Sequence, residues 1–62
     1  MSFRVTGIGA GLADLVYEEE TLTDAARLVH KMTDNGVRSA RIFDPDGQEI
    51  ALEAAYRAAG LP

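Results

Sequence analysis

Four short stretches of this chain hold the residue types that catalysis and binding draw on. The first is Val5-Thr6-Gly7-Ile8-Gly9-Ala10-Gly11-Leu12-Ala13-Asp14, three alternating glycines after an apolar run. Backbone N–H groups in such a turn can cradle a phosphate when a helix starts beyond it. The second is Asp44-Pro45-Asp46-Gly47 with Glu53 downstream, a set of oxygen donors around a sharp bend. The third is His30, the sole histidine, flanked in helical spacing by Arg27, Lys31 and Asp34. The fourth is Glu18-Glu19-Glu20, the one charge run.

The glycine turn looks like the opening of the dinucleotide-binding G-x-G-x-x-G fingerprint, matching its first two glycines at Gly9 and Gly11. Asp14 occupies the third position, where glycine lets helix and strand pack closely, and it adds negative charge beside a would-be pyrophosphate. Periodicity is the stronger objection. At about 100° per residue, Leu12 and Val16 point one way while Leu28, Val29 and Met32 point almost oppositely, so residues 12 to 34 are not one crossover helix. Asp44, which ends a strand, lies considerably farther on than the roughly 20 residues at which an acid is expected to hold a ribose. The segment therefore reads as a hairpin turn.

The Asp44 to Glu53 stretch is similar to part of the calcium loop of the EF-hand family, with Asp44, Asp46 and Glu53 in ligand places and Gly47 at the bend. It departs at Ile42, which offers no oxygen in the first ligand place, and at Pro45 and Glu49. The expected role is a plain turn and cap. His30 lacks a nucleophilic or acid–base constellation around it, because the chain has no cysteine and Ser2 and Ser39 sit in no motif. These residues give no reason to expect an enzyme, a cofactor or a metal.

The elements that carry these residues follow from pattern. Phe3 to Ile8 alternates as a strand, and Leu12 to Glu18 as a second one. Thr21 with Asp24 resembles a capping box, and Ala25, Leu28, Val29 and Met32 recur at helical spacing until Asn35-Gly36, giving a helix over 22–34. Val37 to Phe43 forms a third strand. Residues 48–52 fit a fourth strand or the start of a second helix; Glu49, Glu53 and Arg57, four apart, favour a helix over 47–59 closed by Gly60-Leu61-Pro62. The expected fold is a single α+β domain over 1–62, ββαβα, with a three-stranded antiparallel sheet and both helices on one face. That order loosely resembles several small bacterial domains, with no motif specific enough to name a family.

Composition bounds the function. The chain has 62 residues, no cysteine and a net charge of −4. A domain so short buries only about 60% of its unfolded surface, and without disulfides or a metal the remaining support is association. The acidic balance and the scatter of Arg4, Arg27, Lys31, Arg38, Arg41 and Arg57 argue against nucleic acid. No apolar run long enough to span a membrane and no secretory pattern is present, so a cytoplasmic location is expected.

Around the expected second helix the charged stripe is narrow. Ile50, Ala54 and Ala58 are expected to face the sheet, leaving Leu52, Ala55, Tyr56 and Ala59 exposed as an interface. The sheet face away from the helices is expected to carry Ile8, Val16 and Phe43 among charges. These surfaces point to a non-catalytic interaction module that self-associates as a homodimer through its C-terminal helix. The alternative is a small acidic inhibitor or adaptor, phage- or defence-related, whose Glu18, Glu19 and Glu20 meet a basic protein. Nucleotide or calcium binding at the two turns ranks last.

Overall fold

The computed structural model describes residues 1–61 and is an α+β domain. Strand β1 (Phe3–Ile8) turns through a one-turn 3₁₀ segment (Ala10–Leu12) into β2 (Asp14–Glu19). Helix α1 (Leu22–Asp34) leads to β3 (Arg38–Phe43), then to the two-residue β4 (Glu49–Ile50) and helix α2 (Leu52–Ala59). All pairings are antiparallel, in the spatial order β2-β1-β3-β4.

The sheet has four strands where the sequence pattern predicts three, and Asp44 explains the addition. Its carboxylate accepts the backbone N–H groups of Asp46 at 2.9 Å and Gln48 at 2.8 Å. The Asp44 N–H in turn donates to the Gln48 carbonyl at 2.8 Å, and Gly47 takes φ +87°. This side-chain-mimicked turn folds the chain back on β3, setting Ile50 beside Ile42 and Glu49 beside Phe43. Residues 49 and 50 are thus strand, and the second helix begins at Leu52 instead of 47. Its N-cap, Ala51, makes no side-chain bond.

Helix α1 spans 22–34 as its pattern predicts. Thr21 Oγ1 accepts the Asp24 N–H at 3.1 Å. Its end is closed by Gly36 at φ +89°, with Gly36 N–H donating to the Thr33 carbonyl and Val37 N–H to the Met32 carbonyl. Helix α2 ends the same way at Gly60, whose N–H reaches the Arg57 carbonyl while that of Leu61 reaches Tyr56.

One core joins these elements: Val5 and Ile42 from the sheet, Ala25, Ala26, Val29 and Met32 from α1, and Ala55 from α2. Both helices lie on the Val5/Ile42 face, α2 packing chiefly on α1. The late start of α2 corrects its expected orientation. Ile50 is a strand residue, so the stripe Ile50, Ala54, Ala58 does not exist, and Ala54 and Ala58 are exposed. Leu52, Ala55, Tyr56 and Ala59, spaced i, i+3, i+4 and i+7, form the inward stripe instead.

Candidate functional site

The expected helix interface is not free. Ala55 is fully buried, and Leu52, Tyr56 and Ala59 are half-buried against the core, so none of the four forms an outward patch. His30 is half-exposed on α1, with Asp34 beside it. Its ring lies 5.9 Å from that of Tyr56, between the helices, with Nδ1 3.5 Å from Asp34 Oδ2. That contact is an i,i+4 pair on a half-exposed residue.

Gly9, Ala10 and Gly11 join two antiparallel strands, and no helix starts after them, so the phosphate-cradling geometry is not formed. At the second turn Asp44 Oδ1 is already held by two backbone N–H groups, and Glu53 pairs with Arg57 at 3.1 Å. Among the described residues, no cluster of three His, Cys, Asp or Glu side chains is close enough to hold a metal ion.

The three glutamates do not share one surface. Strand alternation sends Glu18 to the side of Arg4 and Glu19 to the side of Phe3, and Glu20 lies in the turn before α1.

What stays uncovered is the sheet face opposite the helices. The register sets its rows. Glu18, Arg4, Phe43 and Glu49 lie side by side across the four strands; Val16, Thr6 and Arg41 form the next row, and Asp14 with Ile8 the third. Between Thr6 and Ile8 the β1–β3 register shifts, with Ser39 at φ +55° taking up an extra residue on β3. The bulge lets Arg38 and Arg41, three apart, sit on the same side; a regular strand would send them to opposite faces. Val16 is 60% exposed there, and Phe43 and Ile8 are half-buried.

Two open depressions cross this face. One, of about 450 Å³, is bordered by Arg4, Thr6, Glu18 and Phe43; the other, of about 400 Å³, by Ile8, Asp14, Val16 and Arg41. Among the described residues, ion pairs within the chain form only at His30–Asp34 and Arg57–Glu53. None of the three arginines and three acids of the open face is within ion-pair distance of another, though Glu18 lies directly opposite Arg4. Sequence reading foresaw the Ile8, Val16 and Phe43 side of the sheet but missed Glu49 and the bulge that aligns Arg38. A hairpin signal was legible in Asp44-Pro45-Asp46-Gly47; nothing local marks Ser39.

Comparison with protein-family models, characterised proteins and solved structures yields no match.

Proposed function

We propose that this chain is a non-catalytic interaction module that pairs with a second copy of itself through the open sheet face, not through α2. The molecule is a slab of about 30 × 26 × 16 Å, two layers thick, so one broad side of the sheet meets water. That side carries Ile8, Val16 and Phe43 in a ring of Arg4, Arg38 and Arg41 against Asp14, Glu18 and Glu49.

The single observation that carries this reading is the charge balance of an uncovered, partly apolar face. Equal numbers of unpaired arginines and carboxylates suit a surface that meets its own kind, since each sign finds its opposite on the partner. A strongly acidic or basic partner would leave half of them opposed by like charge. A second copy would complete a helix–sheet–sheet–helix sandwich with sheets about 10 Å apart. The broad side approaches the roughly 800 Å² per partner of a standard interface only if nearly all of it is covered. Pairing is accordingly weak, with dissociation constants on the order of 10 µM to 1 mM.

Light scattering over that concentration range tests it. The mass should rise from 6.7 kDa toward twice that value. The double substitution Val16→Glu, Phe43→Ala should stay monomeric while keeping the wild-type far-ultraviolet dichroism. A chain that remains monomeric to about 1 mM contradicts the proposal.

A further inference from the structure

The rim of the sheet offers a second surface, which shares Asp14, Val16 and Glu18 with the open face. Strand β2 ends the sheet on one side and pairs only with β1. Its six residues run against β1 without a break, from Glu19 beside Phe3 to Asp14 beside Ile8. The other rim is β4, two residues long. Long edge strands invite a further strand, and folds usually blunt them with a proline, a bulge or a covering helix. Strand β2 has no proline and no bulge, and it leaves Val16 60% and Tyr17 44% exposed.

Its guard is charge. Asp14 and Glu18 lie on one side of the strand, with Glu19 on the other. The antiparallel register that would pair all six residues of β2 with its own copy sets Asp14 against Glu19, and the one centred on Val16 sets it against Glu18; like charges directly opposite are unfavourable. The same carboxylates attract a strand of opposite sign. We infer that the outer edge of β2 docks an extended basic segment of another protein, which adds to the sheet as a fifth strand. Its Lys or Arg residues, four apart, lie opposite Asp14 and Glu18, and an apolar residue between them meets Val16. Main-chain hydrogen bonds supply the affinity, and the alternating side chains the selectivity.

The test uses the full chain, isotope-labelled, and an eight-residue peptide with Lys at its second and sixth places, Val at its fourth and Thr elsewhere. Amide resonances of residues 14–19 should shift in a saturable way. N-methylation at alternate peptide residues along one rim should abolish binding, and along the other rim should leave it unchanged. Asp14→Lys with Glu18→Lys should weaken the peptide by roughly five- to tenfold and turn the preference to a peptide bearing Glu in place of Lys. Equal binding by both N-methylated peptides would show charge attraction without strand addition and overturn the inference. Shifts centred away from β2, or none with millimolar peptide, would overturn it as well. If the double substitution does not fold, the pair of N-methylated peptides still decides.

Discussion

Gly7 shows how closely this small fold is built. It is buried in the middle of β1, and a Cβ placed there would sit 2.7 Å from Val37 Cγ1 and 3.0 Å from Met32 Cε. The methionine end can move, but the valine follows α1 directly and is fixed by its N–H bond to the Met32 carbonyl. Gly7→Ala should therefore cost about 1–3 kcal/mol, read by urea unfolding, and Val37→Ala in the same chain should recover part of the loss. Asp44→Ala removes the acceptor of two backbone N–H groups and should destabilise the domain by about 1–2 kcal/mol, with loss of amide protection at Glu49 and Ile50. Glycine inside a strand is a general sign of close backbone approach, so Gly7 was open to recognition in the sequence. Ser39 was not. Its positive φ arises from the register mismatch between two strands, which no single stretch of residues expresses.

At the scale of elements, the legible parts were those with both a period and a stop. Helix α1 has a strong apolar stripe, a threonine cap and a glycine end, and all three act as read. Thr21→Ala should lower stability by about 1 kcal/mol, a fall of about 4–8 °C in the midpoint of thermal unfolding for a domain of this size. Helix α2 was misphased because charges four apart at Glu49, Glu53 and Arg57 fit a helix equally well whether or not the first of them belongs to it. Only Glu53–Arg57 is a helical pair. The tertiary pairing of Ile50 with Ile42 decided the boundary, and that contact is remote in sequence. One consequence separates the two placements of Tyr56. As part of the inward stripe, Tyr56→Ala should cost about 1–3 kcal/mol of folding stability and leave the association constant of the folded chain unchanged. An effect on association without an effect on folding would return Tyr56 to the outer surface.

For the whole molecule, the class of fold and the placement of both helices on one side followed from pattern, as did the half-apolar character of the opposite side. The particular surface available for association did not. Composition does not say which apolar residues the fold consumes. The four α2 residues go into the core, and the sheet face is left. Self-association through that face makes its contacts between Ile8, Val16 and Phe43 of one copy and the same patch of the next. The most direct measurement is isotope-filtered nuclear Overhauser spectroscopy on a mixture of labelled and unlabelled chain at about 1 mM, the top of the expected dissociation range. Cross-peaks between copies should arise from the methyl groups of Ile8 and Val16 and the ring of Phe43. Intermolecular cross-peaks confined to α2, or none at that concentration, would contradict the account.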